Sequence, residues 1–395
     1  MVLASIGLCC VPLSIAVCET FLSAALVFRL AGFLRDPESI RPPRLFWLWL
    51  VWIALEVTSW VRSPDLGAGL GEMRHLLLMV ALFITIPAMK HPDDYVRVWR
   101  GIFVAATIGS LSLIVNFYIL TVRHQQDLMK GGDPSFYLRT GGFLHHWAIF
   151  GTVEIIVFSA LLEYRTLYRA GRWTQLMLGV QILAISLSLT RSLWCAAVLI
   201  GLAHVLRTRS KWIWGIPSVF LIAMLLSPHV IGHRLKQAFD ADYYSNAERL
   251  QMWRVGLRMI RKAPLFGVGP GRSEKLYSQF LVKGEPMPAY HGHLHNNGLQ
   301  LGAEFGLIVL SAAVVFVCAL IREVHIACKR ARSREECFLA YSAMNSVGGF
   351  LIMGLTDYTY GHALGLILIT FAVSPALLPH RGEHSAVLER QKDAA

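Results

Sequence analysis

The sequence predicts an all-α, polytopic membrane protein of about twelve transmembrane helices with one large loop on the outer side. Of its 395 residues, 55% are hydrophobic and only 16% are charged, whereas about a quarter of the residues in soluble domains are charged. Apolar runs long enough to span a membrane recur from end to end. The predicted spans lie near residues 2–18, 20–34, 45–61, 70–88, 101–120, 144–162, 174–190, 192–206, 211–227, 294–321, 336–355 and 362–379.

The distribution of Lys and Arg predicts that both termini lie in the cytoplasm. With the N-terminus inside, the short inner loops and the tail hold 21 Lys and Arg residues, and the short outer loops hold six. Basic residues are retained on the inner side, which accounts for much of the net charge of +12 without nucleic-acid binding. The segment 228–293 falls outside although it holds ten basic residues, so topology does not explain those charges.

This pattern divides the chain into four parts. Residues 1–227 hold nine spans, 228–293 form the large outer loop, 294–380 hold three more spans, and 381–395 form a cytoplasmic tail. Chemistry on a polar substrate is therefore expected at the outer face. The seven cysteines show no CxxC spacing and lie mostly in apolar runs, so we interpret them as packing residues.

An arginine interrupts the apolar stretch 174–206 in "SLSLTRSLW". As one helix this stretch would be about 50 Å long, so two short helices are predicted to meet at Thr190-Arg191-Ser192 on the outer side. Arg191 is a functional candidate because a guanidinium between apolar helices costs free energy. The alternative is an arginine that extends to the lipid headgroups.

The outer loop contains the segment "YYSNAERLQMWRVGLRMIRK", which predicts an amphipathic basic helix at the membrane interface. Ser245 and Glu248 have the spacing of a capping box. Arg249, placed in the first turn, and Trp253 are four residues apart and share a face. Arg258, Arg261 and Lys262 in this helix are interpreted as contacts with anionic lipid headgroups.

The turn "GVGPG" follows this helix. A glycine-rich turn can direct several backbone N–H groups at a phosphate, which makes Gly269 and Gly271 candidate anion ligands. A plain turn is an equally good interpretation. A dinucleotide fingerprint is excluded because no strand precedes the glycines.

Three histidines alternate in "HGHLHNNGLQLGAEFG". His291, His293 and His295 would share a face only in an extended chain, and no complete ligand set accompanies them, so no metal is predicted. His295 lies at the start of a helix beginning near Asn296, and the positive end of that helix favours a neutral imidazole that can act as a general base. Glu304, inside the following apolar run, is predicted to be structural or to orient a neighbour.

The outer face thus collects two arginines, a glycine turn and a neutral base. Arginines bind phosphate oxygens through paired hydrogen bonds, so a lipid-linked phosphate or diphosphate is the expected ligand and transfer of the attached group the expected reaction. A transporter or flippase of lipid-linked glycan is the alternative from another class. It would more naturally place paired charges or broken helices near the bilayer midplane.

The motifs "LTRSLW", "ERLQMW", "GVGPG" and "HNNGLQLGAEFGL", in this order and with a large late outer loop, resemble the O-antigen ligase family of bacterial membrane glycosyltransferases. The resemblance implies a GT-C-like, inverting enzyme in a Gram-negative inner membrane, with its active site at the periplasmic face. Such an enzyme moves a glycan from undecaprenyl diphosphate to a terminal sugar of lipid A–core and uses no nucleotide, metal or other cofactor. Its partners would be this donor, this acceptor and membrane lipids.

The resemblance also implies roles for individual residues. By position, Arg191 and Arg249 would hold the donor diphosphate, and His295 would activate the acceptor hydroxyl. Further candidates are Gly269 and Gly271 for the diphosphate, with Trp253, Asn296, Glu304 and His293 in support.

Two related activities remain open on the sequence. An O-antigen polymerase uses the same donor and a similar loop. A protein-glycosylating ligase is also related, although a longer chain with an added periplasmic domain would be expected for it.

Overall fold

The computed structural model describes residues 1–35, 43–73, 89, 91–209, 228–240 and 242–378. Within these ranges the regular secondary structure is helical, and no strand occurs. The predicted span 211–227, most of the predicted span 70–88 and the tail 381–395 lie outside the described residues.

The longer helices are numbered here in chain order. They are α1 (Val2–Cys10), α2 (Ile15–Arg35), α3 (Phe46–Val61), α4 (Pro92–Arg123), α5 (Trp147–Leu167), α6 (Arg172–Leu187), α7 (Arg191–Thr208), α8 (Pro228–Phe239), α9 (Tyr244–Lys262), α10 (Asn297–Phe305), α11 (Leu307–Arg330), α12 (Arg334–Gly354) and α13 (Ala363–Leu377).

Five of these helices, α2, α4, α5, α11 and α12, are long and apolar enough to cross a membrane, and α3 and α13 are shorter apolar helices. The prediction of a polytopic helical membrane protein is therefore supported. The number twelve stays a prediction, because the described residues contain five helices of full spanning length.

The observed helices differ from the predicted spans at two places. The first predicted break, near residue 19, lies at residues 11–14 instead, and α1 has only nine residues. Pro12 in this break cannot donate a backbone hydrogen bond. The predicted span 294–321 is divided into α10 and α11 at Gly306, whose φ is +89°. A Cβ on Gly306 would lie 2.2 Å from the carbonyl oxygen of Leu265, so this junction requires glycine.

The buried centre of the bundle is α5, which packs against α12, α7, α6 and α13. Its contact with α12 is close because Gly349 faces Ile155, where an added Cβ would lie 2.6 Å from the isoleucine side chain. Small residues allow such approach between membrane helices. The N-terminal ends of α5, α7, α10 and α13 lie on the side of the bundle where the outer loop packs.

The outer loop packs against α10 through a second, smaller core, formed by Met252, Val255, Met259, Tyr277, Leu294 and Ala303. It joins α9 to α10, the helix directly after the alternating histidines. Arg258, interpreted from the sequence as a lipid contact, instead forms a bidentate ion pair with Glu285 inside the loop, with N–O distances of 2.6 Å. These contacts fix the positions of the residues between α9 and α10, which include the three histidines.

Both termini are expected in the cytoplasm, with the segment 228–293 in the periplasm. The asymmetry of Lys and Arg between the short loops is the reason. Reporter fusions at residue 280 and at the C-terminus test this topology. Cytoplasmic activity of a fusion at residue 280 would reverse the orientation and remove the basis for an outer active site.

Candidate functional site

Arg191 occupies the first position of α7, at a sharp break between two apolar helices. The helix α6 ends at Leu187, and Leu189 in the break is buried with a φ of +53°. The meeting of two helices at this arginine, predicted from the sequence, is confirmed. The guanidinium lies at the positive end of the helix dipole, a place that favours an anion and not a second positive charge.

Only part of the Arg191 guanidinium has a partner among the described residues. Its Nη1 donates to the carbonyl of Gln237 at 3.0 Å, and its Cζ lies 5.6 Å from the centre of the Tyr243 ring. Its Nη2 is buried and has no hydrogen-bond partner among the described residues. Buried donors in proteins are normally paired, so this atom is available for a ligand.

Arg234 on α8 faces the same tyrosine and was not identified from the sequence. Its Nε donates to the carbonyl of Leu189 at 3.1 Å, and its Nη1 donates to the Tyr243 hydroxyl at 3.2 Å. Tyr243 in turn donates to Asp133 at 2.7 Å. This network ties the break before α7 to α8 and to the loop after α4, and it fixes the position of Arg191.

A third arginine, Arg139, lies in the loop before α5. Its Cζ is 4.2 Å from the centre of the Trp147 ring, and its buried Nε has no hydrogen-bond partner among the described residues. Burial lowers the pKa of Arg139 to about 9, with the charges of Arg234 and Arg249 in the same direction and that of Asp357 opposing them. In the sequence, Arg139 was visible only as one of the six basic residues of the short outer loops, and no function was assigned to it.

Arg249 completes a cluster of four arginines. It lies in the second turn of α9, not the first, and it has no hydrogen-bond partner among the residues that the structure describes. Burial and the charge of Arg234 lower its pKa, against the opposing charge of Asp357. Burial, followed by the charges of Arg234 and Arg249, likewise lowers the pKa of Arg191 to about 10. Gathering like charges costs free energy unless an anion joins them.

The predicted capping box before Arg249 is wrong. The N-cap of α9 is Tyr243, without a side-chain cap, and Glu248 instead accepts a hydrogen bond from the Ala289 amide at 3.3 Å. Trp253, one turn after Arg249, is half-buried, and its indole Nε1 has no partner within the described part of the chain. It stays a supporting candidate as a hydrogen-bond donor.

His295 pairs with an aspartate that the sequence did not reveal. Its Nδ1 lies 3.3 Å from Oδ1 of Asp357, in the turn between α12 and α13, and the Asp357 side chain is 3% exposed. If Nδ1–H donates to this carboxylate, Nε2 is left as a proton acceptor. The geometry is that of a general base oriented by a carboxylate.

Asp357 is held in its charged form. Burial alone would raise its pKa, but the hydrogen bond from His295 and the charges of His295, His362 and Arg249 outweigh burial and keep that pKa below its ordinary value. The carboxylate also accepts the amide of Tyr358 at 2.9 Å. A negative charge therefore lies next to His295, where it would stabilise an imidazolium if His295 accepted a proton.

Three helices begin around this pair. Asn296, directly after His295, is the N-cap of α10, and its side chain accepts the Leu299 amide at 2.9 Å. His146 and His362 precede α5 and α13, and their rings lie 6.4 Å apart. Helix N-termini attract anions, so these three helix ends add to the positive potential that the four arginines create.

The alternating histidines do not act as one group. The rings of His293 and His295 are 4.1 Å apart, whereas His291 packs on Tyr277 at 5.2 Å. His293, His295 and Asp357 offer ligand atoms within 4.8 Å of one another, an arrangement that could hold a metal ion. The nearby arginine charges would oppose a divalent cation, so metal independence stays our prediction.

Acid conditions are expected to destabilise the protein partly through His293. Burial, followed by the charge of His295, lowers the pKa of His293 to about 3, whereas an unfolded histidine titrates near about 6.5. Between these pH values the unfolded chain binds the extra proton, so stability falls as pH falls. Between pH 7 and pH 4, the thermal unfolding temperature should fall less steeply for His293→Gln than for the unmodified protein. An equally steep fall in both proteins would contradict this assignment.

Of the two amides of the glycine turn that were predicted to bind an anion, that of Gly269 is already paired, so this part of the prediction is corrected. The role of Gly271 stays a prediction. The Gly269 amide donates to the carbonyl of Glu304 at 3.0 Å, and the Glu304 carboxylate accepts the amide of Ser273 at 3.0 Å. A Cβ on Gly267 would lie 2.3 Å from the Glu304 backbone. The glycines thus allow the turn to pack against the end of α10, and Glu304 orients that turn.

Residues 176–314 match the family model described as O-antigen ligase. No curated protein matches the chain. The matched region runs from α6 into α11 and includes Arg191, Arg234, Arg249 and His295, whereas Arg139 and Asp357 lie outside it.

Proposed function

We propose that this chain, whose residues 176–314 match the family model described as O-antigen ligase, transfers a glycan from undecaprenyl diphosphate to a terminal sugar of lipid A–core. The observation that carries the proposal is the juxtaposition of unpaired buried arginine donors with the His295–Asp357 pair. The first group suits a diphosphate, and the second suits a hydroxyl that must lose its proton. The site faces the periplasm if the topology is as predicted.

The donor diphosphate binds among Arg139, Arg191 and Arg249. The free Nε of Arg139 and the free Nη2 of Arg191 donate to phosphate oxygens, and Arg249 adds a third positive charge. Charge-assisted hydrogen bonds of this kind are about twice as strong as neutral ones. Because they strengthen as charge develops on the departing diphosphate, they lower the barrier as well as binding the donor.

His295 accepts the proton of the acceptor hydroxyl at Nε2. As the acceptor oxygen forms its bond to the anomeric carbon, the bond from that carbon to the diphosphate oxygen breaks, and its electron pair leaves with the diphosphate. Asp357 stabilises the imidazolium. Attack from the side opposite the leaving group inverts the anomeric centre, and the leaving group needs no proton because arginines already balance its charge.

A reconstitution separates this function from its alternatives. Purified protein is incubated with lipid-linked glycan and lipid A–core, and the products are resolved by size. A larger lipopolysaccharide supports the ligase, and a longer lipid-linked glycan indicates a polymerase instead. If neither forms and the lipid-linked glycan crosses a vesicle membrane, the chain is a transporter.

Transfer is expected to survive removal of divalent cations. The donor carries an activated leaving group, and the arginines supply the charge that a metal would otherwise provide. The measurement is the initial rate in EDTA against the rate with added Mg²⁺, Mn²⁺ or Zn²⁺. Loss of activity in EDTA that one of these ions restores would instead make His293, His295 and Asp357 a metal site.

A further inference from the structure

His293, His295 and Asp357 have the arrangement of three ligands of one metal ion. Each residue offers one ligand atom, and the three atoms lie within 4.8 Å of one another. The Nδ1 of His295 and the Oδ1 of Asp357 are 3.3 Å apart. Ligand atoms that surround Zn²⁺ tetrahedrally are about 3.4 Å apart, so this pair already has the spacing of two zinc ligands. A modest rotation of the His293 ring brings in the third.

Two imidazoles and a carboxylate also select the class of ion. Neutral imidazole binds Zn²⁺ and the neighbouring late first-row ions, whereas Mg²⁺ and Ca²⁺ prefer sets made of oxygen atoms. The His293 ring accepts only a long hydrogen bond from the His295 amide, at 3.3 Å, which an ion can displace at little cost. Among the described residues no fourth His, Cys, Asp or Glu atom joins the group, so water takes the remaining position.

We propose that His293, His295 and Asp357 form an inhibitory zinc site, at which a bound Zn²⁺ ion stops glycan transfer. The binding of the ion does not depend on the proposed function, whereas the inhibition rests on it through the role of His295. The metal-free form is the active one, so this site is compatible with transfer that needs no metal. The His295 side chain is 20% exposed, which lets an ion enter from solvent.

The ion removes the base whichever nitrogen of His295 it binds. If Zn²⁺ binds Nε2, the lone pair that would accept the proton of the hydroxyl is occupied. If Zn²⁺ binds Nδ1, it replaces the proton that faces Asp357. A neutral imidazole that is bound through one nitrogen carries its proton on the other, so the displaced proton moves through solvent to Nε2. In both cases His295 has no free lone pair.

The arginines around the site limit its affinity for a cation. Arg139 and Arg249 lie close enough to Asp357 to interact with its charge, and each repels a divalent ion. Zinc therefore binds more weakly here than at a resident site with the same three ligands. Transfer is unaffected at trace zinc and falls as the zinc concentration rises, so the site makes the reaction sensitive to free zinc.

Metal binding without any substrate is the first test. Co²⁺ is the probe, since it occupies zinc sites and its visible absorption reports a tetrahedral ligand set. The protein, purified without a polyhistidine tag, should bind one equivalent that Zn²⁺ displaces and Mg²⁺ does not. His293→Gln should weaken binding by at least about tenfold, because even the partners of metal ligands contribute that much. His291→Gln is the matched control and should bind normally, since the His291 ring packs on Tyr277.

Single-turnover transfer tests the consequence of binding. Saturating Zn²⁺ should lower the rate by about 10²-fold or more, the contribution of a general base, and EDTA should restore the rate. Each variant is compared with its own rate without metal. The zinc concentration that halves the rate should rise by at least about tenfold in His293→Gln and stay unchanged in His291→Gln. Zinc bound to the donor diphosphate would instead inhibit both variants equally.

The outcomes separate the zinc site from the proposed function. Equal Co²⁺ binding by His293→Gln and the unmodified protein would overturn the site, and stimulation of transfer by zinc would overturn the inhibition. If the protein binds one ion but transfers no glycan even in EDTA, the proposed function fails and the metal site stands. If His293→Gln does not fold, the unmodified protein decides: its unfolding temperature should rise with Zn²⁺ and not with Mg²⁺, and the absence of a rise would overturn the site.

Discussion

Replacing His295 is expected to lower single-turnover glycan transfer by about 10²–10⁴-fold, the usual contribution of a general base, and to leave donor binding nearly unchanged. A sugar hydroxyl is a weak nucleophile, and the proton leaves as the new bond forms. The arginines proposed to bind the diphosphate are unchanged in this variant. The measurement is transfer from pre-bound donor, with donor binding determined in parallel.

The choice of substitution matters because His295 has a φ of +49°. Asn is among the residues that adopt this conformation most readily, so His295→Asn removes the base with less backbone strain than His295→Ala. His291→Ala is the control, since the His291 ring packs on Tyr277 and not on His295. Normal transfer by His295→Asn together with an inactive His291→Ala would show that the base is misassigned.

Asp357→Asn provides an independent check on the same mechanism. An amide facing Nδ1 can donate instead of accept, which would leave the proton on Nε2 and remove the acceptor. We therefore expect kcat to fall while KM for the donor stays close to that of the unmodified protein. A rise in KM alone would assign Asp357 to donor binding.

The sequence was sufficient to predict the features that depend on local pattern. Apolar runs predicted the membrane helices, the length of the stretch 174–206 predicted two helices meeting at Arg191, and "HNNG" placed His295 just before a helix. Each of these depends on residues close together in the chain. The structure confirms the two helices at Arg191 and the helix after His295.

The features that the sequence missed depend on contacts between distant segments. Asp357 reaches His295 across 62 positions, and Arg139 and Arg234 approach Arg191 only after the loop before α5 and helix α8 fold onto α7. The glycine turn was ambiguous for the same reason, because the partner of the Gly269 amide, Glu304, lies more than 30 residues further along the chain. Gly306 interrupts an apolar run without changing its composition, so hydropathy did not show the break.

Replacing Arg139, Arg191 or Arg249 by Ala is expected to remove roughly 2–5 kcal/mol of interaction with the donor diphosphate, typical for one side of a desolvated charge pair. The effect should appear in KM for the donor and also in kcat, because the same contacts stabilise the departing diphosphate. Initial rates over a range of donor concentrations give both constants.

Two further variants give this prediction its controls. Arg254 lies on α9 five residues after Arg249 but is exposed, so Arg254→Ala should transfer at the rate of the unmodified protein. Lysine at position 191 keeps the charge but not the planar set of donors, and Arg191→Lys should recover only a small part of the loss. The buried Nη2 of Arg191 and Nε of Arg139 lack partners in the described structure, so a diphosphate would pair both. If the three Ala variants fold, insert and transfer normally, these arginines do not bind the donor.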